Sequence, residues 1–441
     1  MKLKAAKRAF ALCAVMFAAS FPAFGQTFGF AAEEEKPATG AAVSGWAELG
    51  GAVFLGDLGN VGSIELGDLI SARIGFSRES GTLGATFGFL ISKSRIAEDP
   101  ASAVDEARLG YYGEKFSLEG GVMKLSWGKA DSQGPLDVTN PLDLRDLTVT
   151  DPLERKIALP MVRATYSLGE ASRMEAVFLP GFRGHRLALD GAWAPAALEA
   201  LGAMIPANKI LAAAAEDLAP KTSLADFQAG LRLSVTLRAL DLGFQYFYGF
   251  LPTPAATLSM AGPPLDPAND VSFAYNRYHQ AGVDFAAAAG GFSFRGEAAA
   301  NLTQDLGGDD PGVYNPAIAF SLGVDRDLAA GVNLNLQYSG SYRINHDAIA
   351  SPMDVEAGKP RLSSLLTGVL RTSFFKDSLG ISLTGLWGVS SQDYLFMPKV
   401  SYAFGDAEAS LQAGIFGGDA SGELGQYGDS GYLKASLRYR F

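Results

Sequence analysis

The chain has 441 residues, of which 52 are glycine, 48% are hydrophobic and only 19% are charged. Glycine at about 12%, against about 7% in an ordinary protein, argues against a helical bundle, and so apolar a chain is not a disordered one. A formal charge of −11 disfavours a nucleic-acid partner. One cysteine and three histidines leave little material for a thiol or zinc centre, so no metal or cofactor is expected.

At the amino end, Lys2, Lys4, Lys7 and Arg8 precede an apolar run from Ala9 to Phe24, with Ala23-Phe24-Gly25 as a small-residue exit. This pattern predicts a secretory signal peptide over 1–25; the run is shorter than the roughly 20 residues of a spanning helix. Cys13 lies inside it, so the mature chain would carry no disulfide. Residues 26–42, with Glu33-Glu34-Glu35-Lys36-Pro37, read as a solvated periplasmic tether. Residues 43–441 read as one body.

That body contains no further run of about 18 apolar residues. It alternates instead. Leu231, Leu233, Val235 and Leu237 oppose Arg232, Ser234, Thr236 and Arg238. Leu334, Leu336 and Tyr338 oppose Asn333, Asn335 and Gln337, and Leu433, Leu437, Tyr439 and Phe441 oppose Lys434, Ser436, Arg438 and Arg440. Strand side chains point to opposite faces, so one face is apolar and the other polar. Soluble sandwiches alternate too, but their strands run about 5–6 residues. These segments run about 10–13, which suits a tilted strand crossing a bilayer.

In chain order about eighteen such segments fall near 43–54, 68–78, 82–93, 104–114, 115–127, 159–168, 172–182, 225–237, 241–252, 272–285, 291–303, 316–326, 331–343, 361–375, 378–391, 394–404, 407–417 and 431–441. Short connections, such as Gly169–Ala171 and Gly405–Asp406, alternate with long ones, notably 128–158 and 183–224. The expected fold is therefore all-β: a single large antiparallel transmembrane β-barrel of about 16–18 strands, with short helices in an extracellular loop. Both termini would face the periplasm.

With apolar positions facing lipid, the alternation places Arg73, Lys124, Arg163, Arg232, Arg295, Arg371, Lys399, Lys434 and Arg438 inside. Glu119, Asp284, Glu297 and Glu408 are candidate partners. Nine basic residues against four acidic ones would favour anions in a water-filled lumen; ion-pair ladders such as Arg295 with Glu297 are the competing use of the same charges.

The run Trp127-Gly128-Lys129-Ala130-Asp131, followed by Asp137-Val138-Thr139-Asn140-Pro141-Leu142-Asp143-Leu144-Arg145, resembles a motif of a porin-like group of Gram-negative outer-membrane proteins that mostly lack an assigned substrate. Ile157–Arg163 and Glu175–Pro180 continue the resemblance. Pro135, Pro141, Pro152 and Pro160 restrict this loop, and Asp137 and Asn140 can bond nearby main-chain N–H groups. It reads either as a constriction folded into the barrel mouth or as an ordered external loop on the rim. In the 183–224 loop, 195–201 and 210–217 read as short helices that could form an apolar lid, a plug or rim packing.

The final strand, 431–441, resembles the closing strand of bacterial outer-membrane barrels, whose terminal aromatic pattern is read by the barrel-assembly machinery. Leu437, Tyr439 and Phe441 would carry that signal here. Enzyme signatures are missing: His185, His279 and His346 lie far apart, without paired-ligand spacing or a nucleophile elbow. The sequence thus points to a porin-like channel in the outer membrane for passive diffusion of small polar solutes, with lipid and lipopolysaccharide as neighbours and a homotrimer as a candidate assembly. A transporter of hydrophobic compounds and a structural or adhesive barrel with a filled lumen are the alternatives.

Overall fold

Alternating strands can be stable in hydrocarbon only if every edge is paired, and the computed structural model meets that condition. It describes residues 40–57, 70–98, 100–131, 134–263 and 265–441. The expected signal peptide over 1–25 lies outside the described residues, as does the expected tether over 26–42 up to residue 39. Residues 40–42 are instead the first residues of a strand.

The strands are β1 (Gly40–Phe54), β2 (Ile70–Ser80), β3 (Leu83–Ser92), β4 (Val104–Tyr112), β5 (Phe116–Met123), β6 (Leu159–Ser167), β7 (Ser172–Leu179), β8 (Gln228–Leu237), β9 (Leu240–Phe250), β10 (Ala255–Ser259), β11 (Asp270–Ala274), β12 (Arg277–Ala289), β13 (Phe292–Thr303), β14 (Ala317–Asp327), β15 (Asn333–Arg343), β16 (Leu362–Phe374), β17 (Leu379–Gly388), β18 (Asp393–Phe404), β19 (Ala407–Gly418) and β20 (Tyr432–Arg440). Among the described residues four short α-helices lie between them: α1 (Lys93–Glu98), α2 (Pro152–Arg155), α3 (Ala196–Gly202) and α4 (Ala207–Asp217). Among the described residues, eighteen strands form one antiparallel sheet in sequence order, and β10 and β11 pair separately as a hairpin. β1 closes on β20 with Leu49 opposite Leu437 and Glu48 opposite Arg438. Phe441 completes the seam: its carbonyl accepts from Gly45 N at 2.8 Å, and its N–H donates to Gly45 O at 3.0 Å.

The facing follows the sequence pattern. On β15 Leu336 is 38% exposed while Gln337, one residue on, is 2% exposed. Tyr338 is in register with Leu322 and Leu366 on the outer face. Leu109, Leu231, Phe244, Val283 and Leu411 are likewise exposed on the outside. Tyr402, Phe404, Tyr439 and Phe441 form exposed stacked pairs at the short-turn end, where an interfacial aromatic girdle belongs.

Several boundaries differ from expectation. The segment expected over 115–127 ends at Met123, so Lys124 and Trp127 belong to the following loop and not to the wall. The segment expected over 272–285 begins at Arg277, because Asp270–Ala274 pair with Ala255–Ser259 as a hairpin above the barrel. The segment expected over 378–391 ends at Gly388.

A lipid-facing wall sets a clear stability expectation. Leu411→Arg, which puts a charge on the outer face of β19, should lower unfolding free energy by about 2–4 kcal/mol. Ser410→Arg, on the inner face, should cost far less. Urea unfolding of the protein in lipid vesicles measures both.

Candidate functional site

The bore is lined by charges that mostly answer one another. Register brings Glu119 beside Arg163 and Glu175 beside Arg232. Glu119 pairs with Arg108 at 2.9 Å and Arg163 at 3.1 Å; Arg163 reaches Glu175 at 2.6 Å, and Arg232 reaches Asp284 at 2.6 Å. Gln245 and Gln280 carry the network on to Asn301 through bonds of 2.9 Å. Arg73 pairs with Asp105 at 3.0 Å, and the same carboxylate takes Lys124 at 2.5 Å. Buried charges survive only when so compensated. The balance of nine cations to four anions expected inside is thus corrected: Glu48, Asp105, Glu106 and Glu175 add carboxylates from the wall, Arg108 adds a cation, and the inserted loop adds charges of both signs.

That loop, 124–158, runs through the bore. Trp127 is buried edge-on against Phe247, 6.4 Å between centroids, and its indole N–H donates to Glu175. Gly230 makes room for it: a Cβ there would meet the Trp127 ring at 2.6 Å. Glu297 does not ladder with Arg295. Its carboxylate accepts the main-chain N–H groups of Lys129, of Ala130 (2.6 Å) and of Leu136 (3.3 Å). Gly128 lies so close to it, at φ +95°, that a Cβ would strike the carboxylate. Arg295 instead pairs with Asp131, which also accepts from Asn335 Nδ2 at 2.7 Å. Gln245 and Gln280 donate to the carbonyls of Leu136 and Pro135 at 3.0 Å.

The rest of the motif builds the loop's own frame. Asn140 Oδ1 accepts from Leu125 N at 2.8 Å, and its Nδ2 donates to Met123 O and Ile157 O. Pro141 O accepts from Ile157 N at 2.8 Å. Asp137 takes the ammonium of Lys156, 1% exposed, at 2.7 Å; Lys156 also donates to Leu125 O and Ser126 Oγ at 2.6 Å. Asp143 pairs with Arg145 at 2.6 Å and Arg186 at 3.6 Å. Burial works to raise the Asp143 carboxyl, but the hydrogen bonds and charge of Arg145 outweigh it and hold it below its ordinary value.

Having left one wall, the loop reaches the opposite one. Asp151 caps α2 through Leu153 N at 2.8 Å, which presents Glu154 to Arg438 at 2.8 Å; Arg438 also holds Glu48 at 2.7 Å. Lys434 Nζ donates to Thr148 Oγ1 at 3.2 Å. Glu408 pairs with Arg440 at 3.2 Å, in the exposed margin. Arg371 and Lys399 lie half-buried on the same inner wall.

At the loop end, one side of the bore carries apolar packing that alternation does not reveal. Leu386, Leu395, Met397, Phe416 and Tyr432 point inward near the mouth and bury Leu147 and Trp193 from the two long loops. Trp193 packs edge-on against Tyr432 at 5.9 Å. Helices α3 and α4, both within the expected 183–224 loop, sit with Leu142, Leu144 and the β10–β11 hairpin in a second apolar cluster. Lys156, Glu154 and Trp193 carry no signal in the sequence. Nothing local marks them: Glu154 and Trp193 find partners on distant strands, and Lys156 on the other arm of its own loop.

The three histidines are apart. His279 Nδ1 bonds Tyr246 Oη at 2.6 Å, and His346 Nε2 bonds Lys359 O at 2.8 Å. His185 Nδ1 accepts from Leu142 N at 2.8 Å and so joins the two long loops. Burial, backed by the charge of Arg155, pushes this imidazole down to about 3. The neutral form is therefore the one the fold requires. Its stabilisation is complete above the unfolded value near 6.5 and is lost as pH falls from there towards 3. Hydrogen exchange of the Leu142 amide, corrected for intrinsic rate, should quicken roughly tenfold per pH unit over the upper part of that window. His185→Asn should flatten the dependence.

A model of a family described as "Protein of unknown function (DUF1302)" matches residues 113–319. No curated protein matches the chain. Among solved structures, Salmonella typhi OmpF in complex with daunomycin is 9% identical, with a TM-score of 0.45 over 91% of this chain and 97% of that one. A mutant of the Rh. blastica porin is 11% identical, TM-score 0.41, over 91% and 100%. A loop-deletion mutant of OmpT, an outer membrane protein of Vibrio cholerae, is 11% identical, TM-score 0.41, over 91% and 99%.

Proposed function

We propose that the protein is a porin-like channel of the Gram-negative outer membrane. It would pass small polar solutes by diffusion, through an aperture set by the 124–158 loop. The observation that carries this reading is the crossing of a polar, charge-lined bore by a loop held on both walls, at Glu297 and Arg295 on one side and at Arg438 on the other. An eighteen-stranded barrel is wide enough to leave an aqueous channel unless something fills it. A loop within the bore then decides the size of solute that passes.

Outer-membrane lipid and lipopolysaccharide would face the apolar exterior, and Leu437, Tyr439 and Phe441 would carry the signal for the assembly machinery. A structural barrel with a shut bore is the second reading, favoured by the apolar seal of Leu147, Trp193 and Tyr432. An apolar-substrate transporter has less support. The cluster at the mouth is already packed on itself, with Leu144, Leu201 and Ile205 almost wholly covered.

Planar-bilayer recording separates these readings. The purified protein should give discrete single channels of small conductance. Arg438→Ala, which frees Glu154 and the far half of the loop, should raise that conductance. Silence from both the native protein and this variant would overturn the channel reading.

A further inference from the structure

The inner wall carries one set of cations arranged differently from the rest. Arg73, Arg108, Arg163, Arg232, Arg295 and Arg438 each hold a carboxylate. Lys399 and Lys434 do not: among the described residues, neither has a carboxylate within ion-pair distance, and Lys434 donates only to the neutral Thr148 hydroxyl. Register places them in one cross-strand row, in which Arg371 faces Ser382, Ser382 faces Lys399, Lys399 faces Gln412 and Gln412 faces Lys434. The three cations thus stand on alternate strands β16, β18 and β20, about 10 Å apart at the backbone, with uncharged residues between them.

We propose that this row, centred on Lys399 and Lys434, binds small inorganic or carboxylate anions and gives the bore an anion preference. The preference rests on the channel reading above; the binding site does not.

Most acidic groups that face the row are occupied or off its end, and Asp146, on the loop side of Lys434, accepts from Thr148 N at 2.8 Å. Glu48 and Glu154 are held by Arg438 and Glu408 by Arg440. Asp325 and Asp327 sit beyond Arg371, where Asn333 Nδ2 donates to them at 3.2 and 2.9 Å. The centre of positive potential therefore lies at Lys399 and Lys434. Towards the short-turn end the same wall is built of small groups, Gly380, Ser401, Ser410 and Ser436, which are only half-buried. That leaves room beside the ammonium groups for a hydrated ion. Towards the loop end, Met397, Phe416 and Tyr432 cover the wall, so an anion arrives from the short-turn side. Two uncompensated cations against a low-dielectric wall focus their field into that space, and a mobile anion is what neutralises them.

The test combines two readouts on the full-length protein. In bilayers with a potassium chloride gradient, the reversal potential should report chloride preferred over potassium. The double variant K399Q/K434Q should lose that preference while still forming channels. Crystals of the native protein soaked in sodium bromide should show anomalous density between Lys399 Nζ and Lys434 Nζ, and crystals of the variant should not. Channels whose selectivity is unchanged in the variant, with no bromide on the row, would overturn the proposal and leave the channel reading standing. Bromide on the row of a protein that never conducts would do the reverse.

Discussion

In hydrocarbon an amide has no water to turn to, so each main-chain N–H and C=O must be paired within the protein. The seam between β1 and β20 is where this chain meets that requirement. Without the register of Leu49 on Leu437 and the bonds between Gly45 and Phe441, two long edges would be open to lipid. The other large features follow. Closure fixes an inside and an outside, alternation then sorts the side chains, and eighteen strands enclose more space than their own inward side chains can fill.

How that space is filled is governed by the cost of burying charge. A lone carboxylate in a dry interior costs several kcal/mol, yet Glu297 is 4% exposed. It is tolerable because three main-chain donors of the loop converge on it, and those donors would otherwise be unpaired themselves. Lys156 and Asp137 solve the same problem within the loop. The polar wall and the polar loop therefore need each other, each supplying the partners the other lacks. Gly230 shows the steric side of this fit: it is a gap in the wall shaped by the Trp127 ring. Putting Ala there would move the indole away from both Phe247 and Glu175.

The barrel was legible because the signal for it is local. Two-residue alternation in Asn333–Arg343 needs no knowledge of any other strand, and the eighteen segments read this way correspond to the eighteen paired strands. The interior was less legible because its pairings are not local. Asp131 finds Arg295 and Asn335, and Glu154 finds Arg438, partners far off in the chain that only closure brings close. The inward Leu395, Met397 and Phe416 also break the rule that apolar residues face lipid. They do so near the mouth, where the long loops supply an apolar partner and the inner face is no longer wet.

The two attachments of the crossing loop differ in strength. At Glu297 the loop is held by charge-assisted bonds to a carboxylate with almost no access to solvent, where each bond is worth most. At Arg438 the partners are each about 21% exposed, and water weakens an ion pair that it can reach. The Lys434 bond to Thr148 is longer still and involves only one charge. The polar hold is therefore weaker on the half of the loop from Leu147 to Glu154 than on the half from Lys129 to Leu136. The weaker-held half lies over β20. Leu147, at the start of that half, belongs to the apolar seal, and Thr148 beside it takes the Lys434 ammonium.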